Sequence, residues 1–476
     1  MEFESVIGLE VHAQLSTETK LFCSCPIEFG KEPNVNTCPL CLGLPGVLPT
    51  INQKAIRYAI MLGLATHCSI RKDSQFARKN YFYPDLPKAY QTSQFDRPIC
   101  ENGWIDIEVD GKTKRIGITR IHLEEDAGKL VHDGEDPNAS YVDLNRAGTP
   151  LVEIVSEPDM RTSAEAKAYM EKIHSFVTYL EICNGNMEKG NLRCDANVSI
   201  RPFGQAELGT RTETKNLNSF RNVQDAIDFE IDRQIDATFD DEKIIQQTRL
   251  WDATKKASKA LRSKEDSDDY RYFPCPDLPV LYVEDELIEE LGKNLPELPD
   301  EKKIRFEKEY KLNDHDASIL VASKKTAAYF EAVVEKGINA KMASNWIMGD
   351  VSRLLNENGI GIDECLVKAE QLADMLKQIE SGIISGKIAK TVFEEMFKTG
   401  KKALTIIEEK GLTQVSDEGE LTSICQTILA DNADQVEQFK AGKTKVMGFF
   451  VGQIMKQTKG KANPQAVNKI LNELLK

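Results

Sequence analysis

Glu10 and His12 stand two residues apart in VIGLEVHAQL (Val6 to Leu15), where apolar and polar residues alternate. Alternate residues of a strand face opposite sides. Ile7, Leu9, Val11, Ala13 and Leu15 are therefore expected against a core, with Gly8, Glu10, His12 and Gln14 on the other face. A carboxylate beside an imidazole suits a hard divalent cation or a proton-transfer site. Taken alone, the pattern also reads as a solvated polar face.

The pattern recurs. In NLRCDANVSIR (Asn191 to Arg201), Leu192, Cys194, Ala196, Val198 and Ile200 alternate with Arg193, Asp195, Asn197, Ser199 and Arg201. ITRIHLEEDAGK (Ile118 to Lys129) is a strand pattern ending in three consecutive acids, Glu124, Glu125 and Asp126. In YVDLNRAGTPLVEIV (Tyr141 to Val155), Asp143, Asn145, Arg146 and Glu153 surround a turn-like AGTP. RTETKNLN (Arg211 to Asn218) alternates Arg211, Glu213 and Lys215. Several polar-faced strands that mix carboxylates with Arg or Lys imply an antiparallel sheet whose open face is a site. Carboxylates would hold Mg²⁺ and cations would balance phosphates, the inventory for phosphoryl transfer. No G-x-x-x-x-G-K-[ST] loop occurs, and no G-x-G-x-x-G opens a helix. Any ATP is therefore expected on the sheet, held through metal ions and basic side chains.

Cys23-Ser-Cys25 is followed after twelve residues by Cys38-Pro-Leu-Cys41. Two tight pairs at this separation are the layout of a closed, structural Cys₄ zinc site, the alternative being reduced, unmetallated thiols. The other seven cysteines read as small core residues. ARKNYFYPDLPKAYQTSQFD (Ala77 to Asp96) joins Arg78, Lys79 and Lys88 to Tyr81, Phe82, Tyr83 and Tyr90. Such a run could line an adenine or RNA-end pocket, or could be a well-packed Pro-Tyr loop. A similar run, DDYRYFPCPDLPVLYV (Asp268 to Val283), closes the same region.

These motifs need strands before about residue 290 and find them there, in Gly- and Pro-punctuated alternating runs. Beyond it the spacing turns helical: ELPDEKKIRFEKEY, TAAYFEAVVEKG, MASNWIMGDVSRLLNENG and AEQLADMLKQIESG carry i, i+3, i+4 apolar residues and are read as ending at Gly or Asn. NLPELPDEK (Asn294 to Lys302) reads as a linker, and a second boundary falls near Glu408 to Glu420. We therefore expect an α+β chain with domains at 1–292, 293–408 and 409–476. WDATKKASKALRSKEDSDD (Trp251 to Asp269), dense in charge, is expected as a mobile excursion within the first domain or as an ordinary solvated loop.

At 476 residues, about three domains are expected. A net charge of −15 argues against a protein that coats nucleic acid non-specifically. The charge is uneven, however: residues 440–476 carry +7 and the rest −22. A basic terminal module is a reasonable phosphate-contacting footprint, with a Lys-rich solvated helix as the alternative. No apolar run approaches the ~20 residues of a membrane span. MEFESVIGLE lacks a basic n-region followed by an apolar h-region, so no signal peptide and a cytoplasmic location are expected.

GLEVHAQL, TKLFCSC with CPLCLGLPG, FARKNYFYPDLPKAYQTSQ, VDLNRAGTPLVEI, GNLRCDANVSIR, RTETKNLNSFR and DYRYFPCPDLP together resemble the B subunit (GatB) family of the tRNA-dependent amidotransferases. The resemblance spans the whole first domain and is more diffuse afterwards. It implies conversion of Glu-tRNA(Gln) or Asp-tRNA(Asn) to the amide form. ATP would phosphorylate the side-chain carboxylate. Ammonia would then displace the phosphate, supplied by a glutaminase (amidase-family) A subunit in a complex that also holds a small C subunit. The resemblance further implies a first domain similar to the glutamine synthetase catalytic fold.

On this resemblance Glu10, His12 and Glu125 are the leading metal ligands, with Glu124, Glu153 and Asp195 as further candidates for Mg²⁺. Lys79, Arg146, Arg193 and Lys215 would face the phosphates or the transferring group. Lys79, Tyr81, Arg193 and Asn197 would contact ATP or substrate, and Cys23, Cys25, Cys38 and Cys41 would hold Zn²⁺. The helical region and tail would grip misacylated tRNA, the tail through Lys443, Lys445, Lys456, Lys459 and Lys461. Two other readings compete: a non-catalytic RNA scaffold, and a free-standing ligase of small carboxylates. The first leaves so many acids unexplained, since carboxylates repel phosphate unless metals intervene. The second leaves the helical region and basic tail without a role.

Overall fold

The alternation in VIGLEVHAQL folds as part of the strand Phe3–Gln14, the fifth of nine in one sheet. Across the sheet the order runs Ala257–Ser263, Gln247–Asp252, Thr212–Leu217, Leu192–Pro202, Phe3–Gln14, Pro150–Ser156, Lys112–Glu125, Cys100–Val109 and Ser69–Ile70. Every neighbouring pair is antiparallel except Thr212–Leu217 with Gln247–Asp252. The computed structural model describes residues 2–131, 139–263, 270–412, 418–440, 443, 446–458 and 462–475.

Three helices, Gln53–Ala65, Ser163–Tyr179 and Phe220–Phe239, pack on one face of the sheet. Asn52, Thr162 and Ser219 cap them, each side chain accepting a backbone N–H of the first turn. Ile7, Leu9, Val11 and Ala13 join Ile56, Ile60, Ile173, Val177, Val223 and Ile227 in one core. Removing such apolar surface from water is the main stabilising term. It also fixes the register, since a one-residue slip would bury Glu10 and His12. The strand-and-turn reading of this region missed these helices. QKAIRYAIMLGLA is apolar through most of its length, so its period is weak.

A correction concerns Trp251 to Asp269. Gln247–Asp252 and Ala257–Ser263 form an edge hairpin with Trp251 fully buried, not a mobile excursion; 264–269 lie outside the described residues. Lysines at an edge strand are ordinary, since charge there discourages pairing with another chain.

The chain divides into two compact units, Met1–Leu298 and Pro299–Lys476. The class is α+β: the large sheet lies in the first unit, and the second is helical. All four helical segments expected beyond residue 290 form, as Pro299–Tyr310, Lys324–Glu335, Ala340–Asn358 and Ala369–Glu380. The third carries a π-turn at Ile347–Val351 and stops at Gly359, whose φ is +63°. Within this unit one apolar core runs from Phe306 to Ile407 and another from Leu421 to Leu475. Among the described residues, no helix is long and apolar enough to cross a membrane. Of the tail lysines, Lys443 and Lys456 are exposed, whereas Lys445, Lys459 and Lys461 lie outside the described residues.

Candidate functional site

The sheet face away from the three helices opens into a cavity of about 900 Å³. Glu10 and His12, Glu153, His122 and Glu124, Arg193 and Asp195, and Glu213 and Lys215 reach it from five adjacent strands. Register brings them together. Glu10 lies opposite Asp195, His12 opposite Glu153 and Arg193, and Glu153 opposite His122.

A backbone irregularity completes the arrangement. Ala196 pairs with Thr214 and Cys194 with Leu217, so Lys215 and Asn216 together oppose Asp195 alone. This bulge, with Asn216 at φ +72°, lets Glu213 and Lys215 face the cavity while Leu217 turns into the core.

Two groups of acids result. His12, Glu124 and Glu153 have ligand atoms within 4.8 Å of one another, as do Glu10, Asp195 and Glu213. His12 Nε2 lies 3.3 Å from Glu153 Oε2 and 3.8 Å from Glu124 Oε1. His122 Nε2 lies 3.3 Å from the same Glu153 oxygen. Burial opposes a charge on His12, but the Glu153, Glu124 and Asp195 carboxylates outweigh it and raise its pKa to about 9. Burial likewise works against ionising Glu153, yet His122 and His12 hold its pKa well below the usual carboxylate value. Asn197 donates to Glu10 Oε1 at 2.9 Å, and its own buried carbonyl oxygen finds no hydrogen-bond partner among the described residues. Clustered carboxylates, an imidazole and an orphaned carbonyl fit divalent cations, which take such oxygen and nitrogen donors.

Cations surround the acids. Lys215 Nζ bonds Asp195 and lies 3.3 Å from Glu213. Arg193 donates to Asp126 at 2.9 Å, and Arg146 lies 3.6 Å from the same carboxylate. Burial disfavours charge on Lys79, but Tyr272 and Tyr81 and the Glu124 and Glu153 carboxylates raise its pKa above the ordinary lysine value. The two aromatic runs meet here. Arg78 pairs with Phe273 across a small three-stranded sheet, and Tyr81, Phe95, Tyr270 and Tyr272 line the cavity wall. Phe95 and Tyr272 stack with centroids 4.2 Å apart, and Lys79 Nζ sits 4.8 Å from the Tyr270 ring centre.

Of the residues singled out from sequence, Glu10, His12, Lys79, Tyr81, Glu124, Arg146, Glu153, Arg193, Asp195 and Lys215 line this one cavity, and Asn197 abuts it through Glu10. Glu125 is corrected. It follows Glu124 in a strand and so points the opposite way, where it accepts from Thr92 N at 2.9 Å and pairs with Lys88. Asp143 and Asn145 lie elsewhere too, bonding Asn34 and Asn36 of the cysteine loop. Arg211 and Glu213, read from the sequence as a polar strand face but assigned no role, line the cavity too, and His122, Arg120, Tyr270 and Tyr272, which were not singled out, complete it. Alternation signals four of them: Arg120 and His122 share Glu124's phase, and Arg211 and Glu213 share Lys215's.

Cys23, Cys25, Cys38 and Cys41 converge, with Cys41 Sγ 3.7 Å from Cys23 and Cys38 and 4.0 Å from Cys25. A tetrahedral zinc with ~2.3 Å Zn–S bonds needs sulfurs roughly 3.8 Å apart, so the four thiols fit it. Hydrogen bonding to Cys23 and the nearby Lys20 ammonium pull the Cys41 pKa down to about 4, against burial. The remaining seven cysteines are buried and unpaired by disulfides.

Two family profiles match the chain: the GatB/GatE catalytic domain over residues 5–289, and the GatB domain over residues 328–475. The aspartyl/glutamyl-tRNA(Asn/Gln) amidotransferase B subunit of Desulfotalea psychrophila is 58% identical over 475 residues, covering 100% of both chains. The proteins of the same name from Syntrophotalea carbinolica (99% of this chain, 98% of the relative) and Geobacter sulfurreducens (100% of each) are each 56% identical. The chain belongs to the GatB family, the B subunits of the aspartyl/glutamyl-tRNA(Asn/Gln) amidotransferases.

Proposed function

We propose that the sheet-face cavity is where this protein phosphorylates and then amidates the side-chain carboxylate of a misacylated tRNA. The chain is one subunit of a tRNA-dependent amidotransferase, a carbon–nitrogen ligase acting on Glu-tRNA(Gln) or Asp-tRNA(Asn). The observation that carries the site is the pairing of two acid clusters with Lys79, Arg193 and Lys215 around one space. A carboxylate must attack a polyanion there, so positioning and charge neutralisation are the main needs.

In the reaction an oxygen of the substrate carboxylate attacks the γ-phosphorus of ATP, ADP leaves, and ammonia then displaces phosphate from the acyl phosphate. His12, Glu124 and Glu153, and separately Glu10, Asp195 and Glu213, would hold divalent cations, Mg²⁺ in this reading. Bound there, the cations would offset the negative charge of the triphosphate and the transferring group. Lys79, Arg193 and Lys215 hold fixed positive charge beside them. Tyr81, Tyr270, Tyr272 and Phe95 offer apolar faces on which an adenine would stack. His122 holds Glu153 in its ionised, ligand-ready form, while His12 would give up its proton to a cation bound there.

The finer assignments belong to the same proposal. An antiparallel sheet with one open, acid-lined face supports a glutamine-synthetase-like arrangement. Two apolar cores beyond residue 299 support a helical tRNA-binding domain and a separate basic tail, near the boundaries 293–408 and 409–476. The relatives are named as B subunits, which supports A and C partners, with ammonia coming from a glutaminase partner. A role in translation supports a cytoplasmic site of action. The four-cysteine cluster supports structural Zn²⁺.

The test is ATP turnover by the assembled amidotransferase without glutamine or ammonia. Formation of ADP, followed by labelled phosphate from γ-labelled ATP as water hydrolyses the acyl phosphate, should require Glu-tRNA(Gln) or Asp-tRNA(Asn). Uncharged tRNA should not replace it. Turnover indifferent to the aminoacyl group would sink the proposal.

A further inference from the structure

Lys20 is 1% exposed, and its ammonium uses all three protons inside the protein. Nζ donates to Asn36 O at 2.8 Å, to Leu144 O at 3.1 Å and to Cys41 Sγ at 3.2 Å. The two acids that share its pocket are engaged elsewhere, Glu125 by Lys88 and Asp126 by Arg193. A buried ammonium needs a counter-charge. Cys41 is the group in contact that can supply one, as a thiolate. The other three thiols stand within 4.0 Å of it, and four sulfurs so close share negative charge only around a cation.

The same lysine clamps a turn. Leu144 is held by Nζ, and four residues on Gly148 O accepts from Leu21 N at 2.8 Å. Between them Asn145 Oδ1 accepts from Asn36 N at 2.8 Å. Gly148 has φ +83°, and a Cβ there would meet Lys20 Cδ at 3.4 Å, so the turn rests against the lysine stem. From this turn Arg146 reaches the cavity, while Gly148 N donates to Asp126 O at 2.8 Å.

We propose that Lys20 is a positioning residue, the internal counter-ion of the four-thiolate centre, which transmits that centre's occupancy to Arg146 and Asp126 through the turn it clamps. The proposal rests on reading the cysteines as a zinc site and the cavity as the ATP site. With zinc bound, the thiolates hold the ammonium in place. Without it nothing holds the four sulfurs at their present spacing, Lys20 loses its fixed contact with Cys41 Sγ, and the 144–148 turn it clamps loosens.

The experiment uses the assembled amidotransferase with Lys20→Met, which keeps the stem and removes the charge. Zinc affinity, read by chelator competition, should weaken about tenfold, the scale of an outer-shell partner. At saturating zinc, kcat for amidation should fall by about the same factor, while KM for charged tRNA stays put. Wild-type zinc affinity in this variant overturns the proposal, as does weakened affinity with unchanged kcat. Hydrogen exchange on the wild-type complex decides the matter should the variant not fold. Stripping zinc should speed exchange across residues 142–149, and unchanged protection there overturns the idea. A wild-type complex that binds no zinc removes the metal reading and this proposal together. One that binds zinc while Lys20→Met fails these tests removes the proposal alone.

Discussion

His12 and His122 grip the same oxygen of Glu153, each Nε2 standing 3.3 Å from Oε2. A carboxylate held between two imidazoles is fixed in orientation, and a donor fixed in advance loses little freedom on meeting a cation. Glu153→Gln should therefore weaken Mn²⁺ binding, read by electron paramagnetic resonance, by at least about tenfold, and ATP-dependent amidation should fall further. His122→Asn should weaken Mn²⁺ about tenfold through lost orientation. Charged tRNA should still bind both variants. Wild-type Mn²⁺ affinity in Glu153→Gln would remove it from the ligand set.

Glu124 and Glu125 should separate in the same assay. Glu124→Gln removes a donor from the His12 cluster and should abolish tight Mn²⁺ binding. Glu125→Gln lies on the other side of the strand and should keep Mn²⁺ affinity within about twofold. Its cost should appear as lower thermal stability, because half-buried Lys88 loses its ion-pair partner. Equal loss of Mn²⁺ in both variants would contradict the strand's phase.

That phase was available in the sequence. Ile121, Leu123 and Glu125 share a parity, and Arg120, His122 and Glu124 the other, so alternation alone assigns Glu125 to the apolar side. Counting acids as a run obscured it. Other features carried no local signal. RTETKNL alternates so that Glu213, Lys215 and Leu217 share a face, and only the bulge at Asn216 sends Leu217 into the core. The edge strand Ala257–Ser263 has only Ala257, Ala260 and Leu261 as apolar residues, and these do not alternate. By contrast, the central strands and the cysteine loop were legible, because burial on one face and ligand spacing leave direct marks on residue order.

Glu230 gives a pH prediction away from the cavity. It is fully buried and accepts from Thr212 Oγ1 at 2.6 Å, Gln234 Nε2 at 2.9 Å and Arg233 Nε at 2.9 Å. Burial pushes its pKa up, but these bonds, Arg233 foremost, bring it below the usual value. A depressed folded-state pKa contributes stability that is present above the unfolded value, about 4.3, and is lost as pH falls through the folded value. Glu230→Gln should cost on the order of 3 kcal/mol at pH 7. Its melting temperature should then decline less steeply than wild type below about pH 4.3. Parallel curves in calorimetry from pH 7 to 3 would exclude an ionised Glu230.

The Phe95–Tyr272 stack makes a flat wall beside Lys79. Base stacking on an aromatic ring is worth about 1–3 kcal/mol. Tyr272→Leu should accordingly raise KM for ATP about tenfold and change kcat less. A rise confined to KM for charged tRNA would assign the wall to the tRNA's terminal adenosine instead.

The tail lysines make a claim about salt. Lys443 and Lys456 are exposed on a segment of net +7 within an acidic chain. If each neutralises one phosphate, binding of tRNA releases the corresponding counterions, and affinity falls with salt in proportion to the contacts made. Lys443→Gln with Lys456→Gln should weaken charged-tRNA binding and flatten the slope of log affinity against log salt by about two. ATP and glutamine should keep their KM values, since neither residue lines the cavity. A solvated helix surface predicts otherwise: both affinity and slope would stay at wild-type values, because lysines that touch no phosphate release no counterions on binding.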